Sequence, residues 1–177
     1  ATEAGVELIQ MQFIPSIAYK INKTHTLGAS LVLAAQFFEA KGLEDFEALG
    51  FSASPGNLTG EGFDHSYGGG YRLGWLGNFM DEKLSVGVNY SSRVWMDKFD
   101  KYSNLFAEQG DFDIPETYSV GIAYDFTPAV TVAFDVQQVI YSDIASISNP
   151  GPDASNPSSF FSLCESQPVN DPCKLGG

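Results

Sequence analysis

Strict alternation between apolar residues and small or polar residues constrains this chain more than any other feature of its sequence. In residues 117–126 the apolar set is Tyr118, Val120, Ile122, Tyr124 and Phe126, and the opposing set is Ser119, Gly121, Ala123 and Asp125. A period of two places the two sets on opposite faces of a β-strand. The same pattern recurs in residues 13–21, 27–37, 67–75, 84–91 and 130–137. The sequence therefore predicts an all-β fold of about six antiparallel strands.

The connections between these segments alternate in length. Three are short and carry turn-forming residues, at 22–25, 77–82 and 126–129, as β-hairpins require. The others are long, at 39–65, 97–115 and from Ser142 onward. All short turns therefore lie at one end of the sheet and all long loops at the other. This arrangement is typical of an up-and-down transmembrane β-barrel with short periplasmic turns and long outer loops.

Alternation by itself also fits a soluble β-sandwich, so the composition of the two faces matters. The outer face of a sandwich usually carries abundant charge, whereas the polar face here is rich in Gly and Ser. Aromatic residues near the strand ends fit the interfacial girdle of a membrane barrel: Tyr19, Trp75, Tyr90, Tyr124 and Phe126. The membrane barrel is favoured, and a soluble β-sandwich binding module remains the alternative.

Charge and motifs exclude several classes of function. The chain has a net charge of −13, which argues against nucleic acid as a partner because phosphate binding needs a positive surface. The acidic residues cluster in two long loops, where they form solvated surface. Neither His25 nor His65 has a nucleophile or a metal-ligand set beside it, so the sequence indicates no enzyme, no metal and no cofactor.

Several ordered phrases resemble a known family. They are Tyr67 to Trp75 (YGGGYRLGW), Leu84 to Val94 (LSVGVNYSSRV), Ile114-Pro115-Glu116 and Tyr141-Ser142-Asp143. Together, over residues 6–150, they resemble the FadL/TodX/OmpP1-like outer-membrane transporters of fatty acids and aromatic hydrocarbons. The resemblance implies a fourteen-stranded barrel with an N-terminal hatch, an outer-loop groove, a lumen pocket and a sideways exit through the wall.

The resemblance also bears on domain organisation. The hatch motifs and the last strands of the family do not occur in this chain, so we expect an internal fragment of a longer protein that does not fold alone. Residues 1–150 are predicted to form barrel strands and loops, and residues 151–177 an extracellular loop segment. Within that segment Cys164 and Cys173 fit a small disulfide-closed loop better than free thiols.

Apolar residues in the two long loops predict either a cap over the barrel or a cap that also contains a substrate groove. Such residues in exposed loops need an explanation, because water does not stabilise them. Leu43, Phe46 and Leu49 are spaced three apart, which predicts an apolar stripe on a short helix. The candidate substrate-binding set is Phe37, Phe38, Leu43, Phe46, Leu49, Phe51, Phe99, Leu105 and Phe106.

Two arginines are candidates for holding a substrate carboxylate. The alternation places Arg72 on the lumen side and Arg93 at the lumen or its rim, where a guanidinium fork would suit a fatty acid. Pairing with lumen acids such as Asp125 or Asp135 is the commoner use of such residues. The run Gly68-Gly69-Gly70 marks either ordinary strand curvature or a thin, gated spot in the wall.

The function predicted from the sequence is passive transport of hydrophobic small molecules, long-chain fatty acids or aromatic hydrocarbons, across the bacterial outer membrane. The expected partners are that substrate, outer-membrane lipid and lipopolysaccharide, around a monomeric barrel. A structural or adhesive surface barrel, with acidic loops as its working part, remains the second hypothesis.

Overall fold

The computed structural model describes residues 4–43 and 56–148 and contains one antiparallel sheet. Its strands are β1 (Gly5–Phe13), β2 (Ser16–Lys20), β3 (His25–Lys41), β4 (Asp64–Phe79), β5 (Leu84–Ser91), β6 (Trp95–Met96), β7 (Thr117–Thr127) and β8 (Val130–Val139). The order across the sheet is β1-β3-β4-β5-β7-β8, with β2 beside β3 and β6 beside β4. Chain neighbours are therefore sheet neighbours, and the sheet curls into half a barrel. The predicted all-β, up-and-down barrel architecture is confirmed.

Two of the barrel strands are interrupted, so the eight strands form six barrel strands. β1 and β2 both pair with β3 in one continuous register, from Phe13↔Leu33 to Ser16↔Ser30. The break falls at Pro15, which has no N–H to donate to the ladder. This strand begins at Gly5, although the alternation predicted a start only at Phe13.

The second interruption is a β-bulge between β5 and β6. Arg72 pairs with Ser91 and Gly69 pairs with Trp95. Residues 70 and 71 of β4 therefore lie opposite three residues, 92–94, of the neighbouring strand. An extra residue of this kind bends the strand and re-aims its side chains.

The short connections form tight turns, and the long ones leave the opposite end of the sheet. Met80, Asp81 and Glu82 close the β4–β5 turn with φ of 56°, 56° and 68°. β4 begins at Asp64 and extends to Phe79, so part of the predicted 77–82 turn is strand. β3 likewise continues to Lys41, which shortens the first long loop from the predicted 39–65.

Among the described residues, helical structure is confined to short segments in the long loops. Residues Ala107–Gly110 and Ala145–Ser148 form single helical turns, and Tyr141–Asp143 forms a 3₁₀ turn. In the first of these turns Glu108 and Gln109 have positive φ, so its backbone is not that of a regular helix. In the described part of the chain, no helix is long and apolar enough to cross a membrane.

The two faces of the sheet differ in character. The outer face is apolar and exposed, with Leu31 at 61% and Phe134 at 65% of full exposure. It carries aromatic contacts at both ends, for example Trp75 stacked on His25 at 5.7 Å near the short turns and Tyr90 against Tyr118 at 5.1 Å near the long loops. No second sheet of described residues covers this face, so the structure does not support the β-sandwich alternative.

The buried residues lie on the inner face, under the long loops. One cluster joins Val32 and Ala34 of β3 to Val94 and Met96 around the bulge. A second joins Phe38 and Ala40 of β3 to Phe99 and Tyr102 of the second long loop. The core therefore sits inside the curl at the loop end, and the rest of the inner face is left open.

Candidate functional site

The aromatic cap is a cluster of rings that closes the loop end of the inner face. Phe38 lies at its centre, with ring centroids 5.7 Å from Phe99, 4.9 Å from Tyr102 and 4.8 Å from Phe106. Phe106 in turn contacts Phe112 at 4.9 Å. The hydroxyl of Tyr102 donates to the carbonyl of Gly62 at 2.8 Å, which ties the second long loop to the first.

Within this cap the structure brings together some of the predicted loop residues and separates others. Phe38 and Phe99 are buried against each other, and Leu43, Leu105 and Phe106 are partly buried around them. Phe37 lies on the outer face, with its ring 6.0 Å from His65. Phe46, Leu49 and Phe51 lie outside the described residues, as do Cys164, Cys173 and the whole segment 151–177. Packing of the loops as a cap accounts for Phe38 and Phe99, and the more exposed Leu105 and Phe106 form its accessible side.

Arg93 holds two loops together. Its guanidinium lies 3.5 Å from Asp113 and 4.0 Å from Asp143, and it also donates to the carbonyl oxygen of Asp143 at 2.5 Å. Burial raises the pKa of Asp113, repulsion from Asp111 raises it further, and donation from the Met96 N–H together with Arg93 opposes that rise. The partners of Arg93 are loop acids, and neither is the lumen acid Asp125 or Asp135 considered from the sequence.

Arg72 differs from Arg93 in having only neutral partners. Its Nη2 donates to Gln12 at 3.0 Å and its Nε to Ser91 at 3.3 Å. Among residues 4–43 and 56–148 no carboxylate lies within ion-pair distance of it. Arg72 sits on the inner face, opposite Ser30, as the alternation predicted. It is therefore a lumen cation whose charge is free to meet an anionic group.

The glycines of the Gly68–Gly70 run make room for the bulge. A methyl group at Gly68 would lie 2.3 Å from Met96 Sδ and 2.3 Å from the Trp95 carbonyl. One at Gly70 would lie 3.0 Å from the Arg93 carbonyl. Both strands continue to pair here, with Gly68 facing Ala34 and Met96. The run therefore accommodates a close approach within an intact wall and does not form a thin spot.

Below Arg72, toward the short turns, the inner face is hollowed into an open cavity of about 450 Å³. We call it the glycine groove, because each of four adjacent strands contributes one glycine to it: Gly28, Gly74, Gly87 and Gly121. Small-molecule pockets are typically ~300–1,000 Å³, so the volume suits a small ligand. Nothing lies within 4 Å of a methyl group built on Gly87, so the space above this residue is open.

The strand register aligns the groove into two transverse rows. One row runs Thr26, Leu76, Gly87, Gly121 and Asp135. The other runs Ala18, Gly28, Gly74, Asn89 and Ser119. The middle of the floor is backbone, one end is apolar around Leu76, and the other ends at a carboxylate. Glycine at such positions allows a ligand to approach the backbone closely.

Sequence reasoning missed this groove as a specific site. The glycines were recognised only as part of a small, polar face. The signal available in the sequence was the recurrence of Gly at inner-face positions of four successive strands. Their alignment into one floor depends on the register between strands, which no single segment encodes.

The apolar outer face, the small-residue inner face and the capped loop end define the class of this structure: part of the wall of an outer-membrane-type β-barrel. The chain is similar in fold to the toluene transporter TbuX of Ralstonia pickettii, with a TM-score of 0.56 and 18% identity. The match covers 79% of this chain and 43% of the transporter, so the chain spans less than half of that protein's length. No protein-family model and no curated protein matches the sequence.

This likeness establishes the fold. The similar protein is a transporter rather than an enzyme. Its substrate, toluene, is a property of that protein.

Proposed function

We propose that this chain forms part of the wall of an outer-membrane barrel that carries small hydrophobic molecules, aromatic hydrocarbons or long-chain fatty acids, into the cell by passive transport. The single observation that carries the proposal is the glycine groove on the inner face, about 450 Å³ in volume. A barrel whose only role was structural would gain from filling this space, since large side chains there would add packing. The fold likeness to a toluene transporter supports the same function.

In this proposal the aromatic cap and the groove act in sequence. Hydrophobic molecules first meet the accessible side of the cap, at Leu105 and Phe106, and then pass into the lumen. Burial of apolar surface stabilises a bound molecule by roughly 25 cal/mol per Å², so micromolar binding, at about 8 kcal/mol, requires roughly 330 Å² of apolar surface to be buried between molecule and barrel. This affinity is weak enough for the bound molecule to be released into the periplasm.

The experiment uses the full-length barrel in detergent and follows the binding of naphthalene by its own fluorescence. Gly87→Leu places a side chain in the groove at a position where its Cβ meets nothing within 4 Å. We expect the dissociation constant to rise at least tenfold. Val86→Leu is the matched control, since Val86 precedes Gly87 on β5, pairs with Ile122 on the outer face and does not line the groove.

Arg72 separates the two substrate classes within the same proposal. It lies two residues before Gly74 on β4, which is ~7 Å along the strand. A fatty acid held with its chain in the groove would reach the guanidinium with its carboxylate. Arg72→Gln should then weaken binding of a fluorescent long-chain fatty acid at least tenfold and leave naphthalene binding unchanged.

Two results, one with Gly87→Leu and one with the unaltered barrel, would contradict the proposal. Equal binding of naphthalene by Gly87→Leu and by the unaltered barrel would exclude the groove as the site. Absence of binding of both arenes and fatty acids by the unaltered barrel would overturn the transport proposal. A structural or adhesive surface barrel, with its acidic loops as the working part, would then be the better explanation.

A further inference from the structure

We infer that Asp135 gives the glycine groove a preference for arenes that carry a hydrogen-bond donor, such as phenols and anilines, over the corresponding plain hydrocarbons. This inference rests on the proposed function and adds a residue that determines specificity. It follows from the shape of one row of the groove and from the chemistry at its end.

Asp135 terminates the row that begins at the apolar side of the groove. Leu76 pairs with Gly87, Gly87 with Gly121, and Gly121 with Asp135. Neighbouring strands are ~4.8 Å apart, so the row from Leu76 to Asp135 spans ~14 Å. The Asp135 carboxylate lies over Gly121, so the open part of the row runs from Leu76 across Gly87 to Gly121, two strand spacings or ~10 Å. That length accommodates an aromatic ring with a short alkyl tail, and the floor beneath the ring is the backbone of Gly87, above which the space is open.

The absence of a side chain at Gly121 leaves the Asp135 carboxylate directly over the floor. A methyl group built on Gly121 would lie 2.1 Å from Asp135 Oδ1. The carboxylate therefore occupies the space that any larger residue would fill, and it lines the same cavity as Leu76 and Gly87. A ring lying over Gly87 would bring a terminal O–H or N–H group to this oxygen.

Within the described part of the chain Asp135 has no hydrogen-bond donor and no cation as a partner. The other inner-face carboxylate near the short turns, Asp125, is already engaged, since it accepts a hydrogen bond from Thr131 at 2.5 Å. A carboxylate is an acceptor only, and hydrogen bonds to charged groups are stronger than neutral ones. Asp135 thus offers a carboxylate acceptor at the end of a row whose other described side chains, at Leu76 and Thr26, carry no charge.

The test compares 4-propylphenol with propylbenzene, which differ only in the hydroxyl group. Both are measured at pH 7 by competition against naphthalene on the detergent-purified full-length barrel. We expect 4-propylphenol to bind at least fivefold more tightly after correction for their different partition into detergent. Asp135→Asn should reduce this preference to less than twofold, because the amide is a weaker acceptor and keeps the size of the side chain.

Asp125→Asn is the matched control and should leave the preference unchanged. If Asp135→Asn keeps the full preference while both compounds still bind, the inference is overturned and the proposed function survives. If naphthalene binds but neither compound competes with it, the inference is overturned and the proposed function survives. If the unaltered barrel binds neither naphthalene nor a fluorescent long-chain fatty acid, the proposed function fails together with the inference. Loss of the preference in Asp135→Asn alone, with propylbenzene binding unchanged, supports the assignment.

Discussion

At the scale of single residues, Phe38 connects the sheet to the loops above it. Its ring packs against Phe99, Tyr102 and Phe106, all of which belong to the second long loop. Aromatic pairs of this kind contribute ~0.5–1.5 kcal/mol each beyond the burial of their surface. One side chain on β3 thus supplies a large part of the energy that closes the loop end.

Replacing Phe38 by Ala should release the cap while leaving the barrel strands in place. Removal of a buried Phe costs about 3–5 kcal/mol, and most of that loss falls on the packing of the second loop. Limited proteolysis of the full-length barrel should show cleavage within 97–113 at least tenfold faster. Phe37→Ala is the control, because Phe37 lies on the outer face, and equal cleavage of the two variants would contradict this account.

Asp113 should make the stability of the cap depend on pH. Burial raises the pKa of this carboxyl in the folded state. The folded state therefore keeps the proton at pH values where the unfolded chain, with an ordinary pKa of ~3.9, has lost it. Stability falls as pH rises from about 4 through the raised folded pKa.

The measurement is thermal loss of the near-ultraviolet circular dichroism of the cap between pH 4 and pH 7. Between pH 4 and pH 7 the midpoint of this thermal transition should fall by less in Asp113→Asn than in the unaltered protein. Asp100→Asn, which changes an exposed loop carboxyl, should show the same fall as the unaltered protein. An unchanged pH profile in Asp113→Asn would show that other groups are responsible.

At the scale of elements, the bulge between β5 and β6 depends on the glycines opposite it. The extra residue in 92–94 brings the chain so close to β4 that Gly68 has no room for a methyl group. The bulge also aims Val94 and Met96 inward, where they pack on Val32 and Ala34. The bulge therefore positions the residues of the buried cluster that lies between the cap and the groove.

Gly68→Ala should destabilise the barrel, because the methyl group meets the Met96 sulfur and the Trp95 carbonyl at 2.3 Å. Overpacking of this kind typically costs ~1–3 kcal/mol. The midpoint of heat-induced unfolding, followed by gel mobility in detergent, should fall by several degrees. Gly87→Ala provides the comparison, since it adds the same group to open space on the same sheet face. Equal midpoints would exclude the close approach at Gly68.

At the scale of the whole molecule, the sheet separates two environments. Most residues facing outward are large and apolar, and most facing inward are small or polar; the inward exceptions are Val6, Leu8, Leu76 and the two buried clusters. In a bilayer the outward face meets lipid, where a charge at mid-depth would cost ~2–4 kcal/mol. This segregation extends across all six barrel strands.

Adjacent residues on one strand should therefore react differently with a water-soluble maleimide. In a chain with Cys164→Ser and Cys173→Ser, the variant Asn89→Cys should be labelled in intact membranes and Val88→Cys should not. The strand alternation turns the side chain of Asn89 inward, opposite Ser119, and that of Val88 outward, opposite Val120, although both residues border the groove. Equal labelling of both positions would contradict the assignment of faces.

The sequence by itself determined the central part of each barrel strand, the side that residues there face and the separation of short turns from long loops, but not the strand ends such as Gly5 and Lys41. These properties are local: the side chain direction alternates with every residue, and a turn needs only a few residues of suitable type. For this reason the inward position of Arg72 and the outward positions of Tyr118, Val120 and Ile122 followed from the pattern alone. The interruption at Pro15 was not predicted, because the alternation of side chains passes through Pro15 without a change of phase.

Only the tertiary structure decided which groups meet across strands and loops. Arg93 pairs with loop carboxylates and Arg72 binds neutral partners, although the sequence suggested that both would hold a substrate carboxylate. Gly87 and Gly121 became one floor ending at Asp135 because of the register between β5, β7 and β8. Register and loop contacts join residues distant in sequence, and a shift of one residue would turn every side chain of a strand to the opposite face. The groove is for that reason a property of the assembled sheet.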